Sequence, residues 1–130
     1  MSTLDAIRQP APGPASPLVL LVKEDEGSGL MMRRFVTWAG CRFDRVRSPE
    51  ELWASPPERL LSTHGVIVDH YGDTLATLAE IRRRHPGVGT LVVSAFTPEA
   101  ELGRTLTLPP HPADAVRAIT ELIAEFRPAQ

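Results

Sequence analysis

The stretch GVIVD, residues 65–69, decides the fold class of this chain. Its central valine and isoleucine residues form a continuous apolar run, which is typical of a parallel strand that is buried on both faces. A second run, LVLLV at residues 18–22, has the same character. Acidic residues follow both runs, namely Glu24 and Asp25 after the first and Asp69 at the end of the second. Because the carboxyl ends of parallel strands share one crevice, we expect these carboxylates to lie close together.

Apolar runs and helical patterns alternate along residues 18–127, which we predict to form one domain. The predicted strands are residues 18–22, 41–46, 65–69, 90–94 and 105–108. Strands that are separated by crossovers of helical length must form a parallel sheet, with helices on both of its faces. The predicted fold is therefore a doubly wound α/β fold with a five-stranded parallel sheet in the order 2-1-3-4-5.

Turn and cap signals set the predicted helix boundaries. Residues 27–29, Gly-Ser-Gly, predict a turn before the first helix, and Gly40 predicts its end. Residues 48–51 form a capping box with proline at the first helical position, and Pro56-Pro57 predicts a break in the helix that follows.

Two later helices complete the pattern. A helix over residues 73–84 is predicted to turn Leu75, Leu78 and Ile81 toward the core. A short helix is predicted to begin at Thr97-Pro98-Glu99 and to be over by Gly103, so the helix after the fourth strand is shortened. The last helix is predicted to begin at Pro112.

Composition excludes several classes of protein. The 130 residues carry a formal net charge of -2, which gives no broad basic face for nucleic acid or anionic lipid. The single cysteine, Cys41, excludes an internal disulfide framework. No apolar run approaches the length of a membrane span, so a cytoplasmic protein is expected. Residues 1–17 are rich in proline and are predicted to be a disordered tail.

From residue 18 to residue 127, the sequence resembles a bacterial response-regulator receiver domain of the CheY-like type. The matching segments are LVLLVKEDE, GVIVD, LVVSA and LTLPPHP. The resemblance implies that Asp69 is the phosphoacceptor and that Ser94 is the hydroxyl residue at the end of the fourth strand. It places Pro110 at a proline of the family and Pro109 where the family has a lysine.

The resemblance also implies a Mg²⁺ site at the end of the first strand. One alignment puts Lys23 and Glu24 on the metal-binding acidic pair, and a shift by one residue puts Glu24 and Asp25 there. With Asp69 and the carbonyl group of Tyr71, these oxygens could hold Mg²⁺. In the alternative, the Lys23 ammonium pairs with Asp69 and displaces the metal.

Other positions depart from the family pattern. Pro109 has no charge that could pair with an acyl-phosphate, and His111 is a weak substitute for the missing lysine. A cis bond between Pro109 and Pro110 is expected by analogy with the family. Tyr71 lies where the ring could shield the phosphoryl site, and Leu106 replaces the aromatic switch residue of the fifth strand. The four histidines are scattered along the sequence and predict no metal site.

These departures favour a single-domain, atypical receiver of bacterial two-component signalling, a pseudo-receiver that acts through protein contacts without phosphorylation of Asp69. One alternative is a functional regulator that is phosphorylated on Asp69 with Mg²⁺, and a second is a small enzyme on the same fold. Expected partners are a histidine kinase, a phosphotransfer protein or a downstream regulator. A homodimer through the edge around the shortened helix is also expected, and neither nucleic acid nor a membrane is.

Overall fold

The structure is a computed structural model that describes residues 11–70, 72–95 and 100–128. Its centre is a sheet of five parallel strands in the order β2-β1-β3-β4-β5, which confirms the predicted order. The strands are β1 (Leu18–Val22), β2 (Arg42–Val46), β3 (Gly65–Asp69), β4 (Gly89–Ser94) and β5 (Thr105–Thr107).

Helices connect the strands and cover the sheet on both faces. They are α1 (Glu26–Trp38), α2 (Pro49–Ala54), α3 (Pro57–Leu61), α4 (Thr74–Arg84) and α5 (Pro112–Ala124), with a 3₁₀ helix at Ala100–Leu102. The alternation of strand residues divides the core in two. On one face, β1 and β3 contribute Val19, Leu21 and Ile67 to a cluster with α1 and α5. The opposite face packs against α2, α3 and α4.

Helix α1 begins earlier than the sequence predicted. Asp25 is its N-cap, and the side chain accepts hydrogen bonds from the backbone N–H groups of Gly27 and Ser28. The prediction of a turn at residues 27–29 is therefore wrong, because this cap starts the helix despite its two glycines. Gly40 follows the end of α1 with φ of 81°, a conformation that glycine adopts at low cost.

The other predicted strand bounds and the predicted start of α4 agree with the structure to within one residue, and the orientation of one side chain needs correction. Ser48 caps α2, and the double proline separates α2 from α3 as predicted. In α4, Leu78 and Ile81 are buried, but Leu75 is 46% exposed, so the prediction that Leu75 faces inward is wrong. Thr74 takes the inward place because it lies four and seven residues before the two buried positions, which is the spacing of one helix face.

The connection from β4 to β5 is short, as predicted. Its described part includes the 3₁₀ helix, in which Leu102 is 1% exposed and packs into the core beside α4. The predicted helix start at Thr97-Pro98-Glu99 lies outside the described residues. No helix in the described ranges is long and apolar enough to cross a membrane.

The predicted tail is described only from residue 11 onward, and residues 1–10 lie outside the described part. In the described part, the Ser16 backbone N–H donates to the Gly13 carbonyl in a turn. Arg42 of β2 then donates from its side chain to the Ser16 carbonyl and from its backbone to the Pro17 carbonyl. The chain is thus fastened to the sheet edge just before β1.

Candidate functional site

The ends of three neighbouring strands bring the predicted site residues together. The parallel register pairs Val22 of β1 with Val68 of β3, so Lys23 and Asp69 follow side by side. Asp69 in turn pairs with Val93 of β4, one residue before Ser94. The site therefore lies at the carboxyl edge of the sheet, at the switch point between β1 and β3 where this fold class binds ligands.

An ion pair between Lys23 and Asp69 forms the centre of this site. The Lys23 Nζ atom lies 3.0 Å from Asp69 Oδ2, and the exposed fractions of the two side chains are 9% and 29%. This contact confirms the pairing of Lys23 with Asp69 that one of the two interpretations of the sequence predicted. A buried ammonium group needs a counter-charge, and Asp69 supplies it.

Lys23 is unusual in composition as well as in position. The sequence contains 14 lysine and arginine residues, and Lys23 is the only lysine among them. Arginine carries the exposed positive charge elsewhere, whereas the compact ammonium group is used once, beside the predicted phosphoacceptor. Lysine suits this place because its point charge on a long apolar stem can reach a carboxylate while the stem is buried.

Asp25 serves the helix rather than the site. Its carboxylate accepts hydrogen bonds from the Ser28 hydroxyl at 2.6 Å, from the Ser28 N–H at 3.0 Å and from the Gly27 N–H at 3.3 Å. The Ser28 hydroxyl is the main cause that lowers the pKa of Asp25. These three donors take up three of the roughly four acceptor positions of the carboxylate, which leaves it little capacity to bind a metal.

Among the described residues, the carboxylates predicted to bind Mg²⁺ are not grouped as a metal site. Glu24 is exposed, and its backbone carbonyl accepts a hydrogen bond from the Arg45 side chain at 2.7 Å. Among the residues that the structure describes, no three acidic, histidine or cysteine side chains are grouped so that they could hold a metal ion. The expected set of Glu24, Asp25 and Asp69 is thus not assembled, and a positively charged ammonium group lies 3.0 Å from Asp69 Oδ2. These residues do not fit Mg²⁺.

Ser94 has a partner that sequence reasoning missed. Its hydroxyl oxygen lies 3.0 Å from His70 Nδ1, and Ser94 is 3% exposed. His70 was grouped with the scattered histidines, but its backbone N–H donates to the Val93 carbonyl and so prolongs the pairing of β3 with β4. The sequence signal for this contact is that His70 directly follows Asp69. If the pairing of β3 with β4 continues for one residue beyond Asp69, the His70 side chain comes close to Ser94.

The segment after β5 differs from the expected arrangement in two ways. The cis peptide bond lies between Leu108 and Pro109, so the expectation of a cis bond between Pro109 and Pro110 is wrong. His111 is the N-cap of α5, and its Nδ1 atom accepts a hydrogen bond from the Ala113 N–H at 3.1 Å. His111 therefore caps a helix and does not replace the family lysine at Asp69. Tyr71, which was predicted to line the phosphoryl site, lies outside the described residues.

A cleft of about 880 Å³ opens above the ion pair, between α2 and α4. Lys23, Glu24 and Asp69 contribute to its floor at the strand ends, and Trp53 and Glu80 belong to its helical walls. Two arginines of α4, Arg83 first and then Arg84, lower the pKa of Glu80 to about 2. The carboxylates in the cleft are thus largely engaged with neighbours, and the ion pair remains accessible from one side.

Comparison with solved structures identifies the fold. A candidate pilus assembly-related protein of Burkholderia pseudomallei is similar with a TM-score of 0.75 and 19% identity over 94% of this chain and 98% of its own. A response regulator of Thermotoga maritima is similar with a TM-score of 0.73 and 17% identity over 84% and 98%. The non-phosphorylated receiver domain of HemR from Leptospira biflexa gives 0.69 and 20% over 88% and 99%.

The chain therefore has the fold of response-regulator receiver domains, the CheY-like arrangement of the flavodoxin-like class. Scans of protein-family models and of curated proteins find no match to the sequence. The likeness is thus one of backbone architecture, and the chemistry of this chain has to be argued from its own site residues.

Proposed function

We propose that this protein is an atypical receiver of bacterial two-component signalling, a pseudo-receiver that works through protein contacts and does not take phosphate on Asp69. The single observation that carries the proposal is the ion pair between Lys23 and Asp69. A carboxylate that accepts a phosphoryl group must approach the phosphorus as a free nucleophile. In this chain, the Asp69 carboxylate is instead paired with the Lys23 ammonium group.

Phosphoryl transfer depends on positive charge that neutralises the transferred group, and this charge usually comes from a metal ion. The strand-end residues of this chain do not fit such an ion, and the end of β5 carries Pro109 and Pro110 rather than a lysine. Among the described residues, Lys23 is the cation that forms an ion pair with Asp69, and it is thus already bound to the carboxylate. The small-enzyme alternative needs Asp69 as nucleophile or base, so the same ion pair opposes it.

The exposed face of α1 supports an output through protein contacts. On α1, Leu30 is 64% exposed, and Arg33, Arg34 and Thr37 are exposed as well. These residues lie three, four and seven positions after Leu30, so they share one helix face. An exposed apolar side chain one helical turn before two exposed arginines suits a partner with an acidic rim around an apolar pocket. A histidine kinase, a phosphotransfer protein or a downstream regulator could present such a surface.

The solved structures suggest one setting for this module. The Burkholderia pseudomallei protein and a second one from Burkholderia thailandensis are both described as candidate pilus-assembly proteins, with TM-scores of 0.75 and 0.69 to this chain. We therefore include pilus-assembly proteins among the partners to be tested. The last partner that we propose is a second copy of this chain, bound through the β5 edge of the sheet as a homodimer.

The first experiment tests phosphorylation directly. The full chain is incubated with Mg²⁺ and acetyl phosphate, and its intact mass is measured beside that of the Asp69→Asn variant and of a receiver that is known to be phosphorylated. We expect the mass of the wild-type chain to stay unchanged while the control receiver gains one phosphoryl group. A mass gain that disappears in Asp69→Asn would show a working phosphoacceptor and refute the proposal.

A second experiment tests the protein contacts. Tagged wild-type, Asp69→Asn and Arg33→Glu/Arg34→Glu chains are used as baits, and the captured proteins are quantified by mass spectrometry. A pseudo-receiver keeps its partners when Asp69 is changed, because no phosphate signal is lost. The charge reversal on α1 should reduce capture. Loss of the same partners in Asp69→Asn, with both variants folded, would argue for a phosphorylation-dependent regulator.

A further inference from the structure

We propose that the Lys23 ammonium group is a built-in cation that takes the place of a divalent metal beside Asp69, and that this one side chain excludes the metal. The inference rests on the proposed pseudo-receiver function and extends it by naming the residue responsible. It predicts that the rest of the site retains enough oxygen ligands to bind a divalent cation once the ammonium group is removed.

The backbone around Lys23 fixes where its side chain begins. The Lys23 N–H donates to the Val46 carbonyl at 3.0 Å, and the Lys23 carbonyl accepts from Arg45 Nε at 3.0 Å. A second nitrogen of the same guanidinium group donates to the Glu24 carbonyl. Residues of β2 thus form hydrogen bonds with both the N–H group and the carbonyl group of Lys23. These bonds fix the backbone position from which the Lys23 side chain extends to Asp69.

Repulsion between the Lys23 ammonium group and a divalent cation explains why the metal is excluded from Asp69. A divalent cation that binds Asp69 would lie within a few ångströms of the ammonium group, which cannot move far because its side chain is only 9% exposed. At a separation of about 4 Å, repulsion between a single and a double charge weakens binding by at least roughly tenfold, even with the dielectric constant of water. Lys23 also engages Oδ2, one of the two carboxylate oxygens of Asp69.

Two carboxylates line the same cleft as Lys23. Glu24 and Asp69 both line the cleft above the ion pair, and Glu24 is exposed, so its carboxylate is free to turn toward a bound ion. Replacing Lys23 by aspartate would add a third carboxylate at the same strand end. Two or three carboxylates with water are a usual ligand set for Mg²⁺ or Mn²⁺.

The experiment uses Mn²⁺ as the probe and the full chain as wild type, Lys23→Gln and Lys23→Asp. Binding is located by paramagnetic broadening of backbone amide signals in ¹H–¹⁵N spectra, which also show whether each variant is folded. We expect a roughly tenfold gain in Mn²⁺ affinity in Lys23→Gln and a larger gain in Lys23→Asp, with broadening centred on residues 23–25 and 68–70. Adding Asp69→Asn should remove the gain.

Arg47 provides a matched control, because it lines the same cleft and Arg47→Gln removes the same charge. The inference is overturned if Arg47→Gln raises the affinity as much as Lys23→Gln does. It is also overturned if wild type binds Mn²⁺ at Asp69 as tightly as the Lys23 variants, or if folded Lys23→Asp gains no affinity. Should Lys23→Asp fail to fold, Lys23→Gln decides the question. The acetyl phosphate experiment on wild type does not depend on the Mn²⁺ measurements. Failure of this inference can therefore be distinguished from failure of the proposed function.

Discussion

Replacing Asp69 by asparagine separates the pseudo-receiver from a metal-binding receiver through the sign of its effect on stability. In this chain, Asp69 balances the charge of a buried ammonium group, so we expect the Asp69→Asn variant to unfold more easily. In a site where Asp69 lay among unpaired carboxylates, the same substitution would relieve repulsion and raise the free energy of unfolding. The two interpretations of the site therefore predict opposite signs.

The size of the loss follows from the geometry of the pair. At the observed 3.0 Å, two unit charges attract by about 5.5 kcal/mol at an effective dielectric constant of ~20 and by about 1.4 kcal/mol in bulk water. Lys23 is nearly buried, whereas the Asp69 side chain is 29% exposed, which places the pair between these limits. The asparagine oxygen and water recover part of the interaction. We therefore expect Asp69→Asn to cost about 2 kcal/mol.

Urea unfolding at pH 7, followed by tryptophan fluorescence, measures this quantity. Glu24→Gln is the matched control because it removes a carboxylate from the same strand end without an ion pair, and its effect should stay within about 0.5 kcal/mol. A double-mutant cycle with Lys23→Met isolates the coupling between the two side chains. An Asp69→Asn variant that is as stable as wild type, or more stable, would refute the assignment of the ion pair as the resting state of the site.

Three further predictions concern the fold. Gly89→Ala should lower the free energy of unfolding by about 2 to 3 kcal/mol, because an added Cβ would clash with the backbone oxygen of Leu122; urea unfolding measures the loss. Gly27→Ala should instead raise it by about 0.5 kcal/mol in the same assay, since a Cβ added to this exposed helical glycine would lie 3.8 Å from the Asp25 carboxylate oxygens, which is an ordinary contact. Burial lowers the pKa of His64 from its usual 6.5, so the unfolded chain binds the proton more readily and stability should fall as the pH drops below that value. In His64→Asn, urea titrations between pH 7.5 and 5.5 should show a weaker dependence on pH.

Most of the fold could be predicted from the sequence because its signals are local and strong. The apolar runs at residues 18–22 and 65–69 have no polar interruption, so a buried parallel strand is the arrangement that satisfies them. Strand order then followed from the crossovers, whose helical length and right-handed connection leave few alternatives. The break at Pro56-Pro57 was equally clear, since proline removes a helix donor.

The errors lie where two signals of similar strength compete. Two glycines predicted a turn at residues 27–29, but the Asp25 cap supplied three hydrogen bonds and started the helix there. Leu75 is the more apolar residue, yet Thr74 has the spacing that faces the core. Such outcomes depend on small differences in free energy that residue types alone do not reveal.

The site was predicted in its location but only partly in its contacts. The strand ends fixed the neighbourhood of Asp69, and the ion pair with Lys23 was one of two arrangements that the sequence allowed. The bond between His70 and Ser94 was missed because it depends on β3 pairing with β4 one residue beyond the strand. Contacts of this kind are set by register in three dimensions, whereas the sequence pattern shows only the period of the strand.

The ion pair at the end of β1 has a consequence for how such a module would carry information in a cell. A receiver that is phosphorylated consumes a phosphodonor, and its signal lasts as long as the acyl-phosphate. A receiver whose aspartate is neutralised by its own lysine consumes no phosphodonor, and its signal is not limited by the lifetime of an acyl-phosphate. If Lys23 closes the site as proposed, the quantity that the cell can vary is the number of copies of the chain, so control would lie in synthesis, degradation and competition for partners.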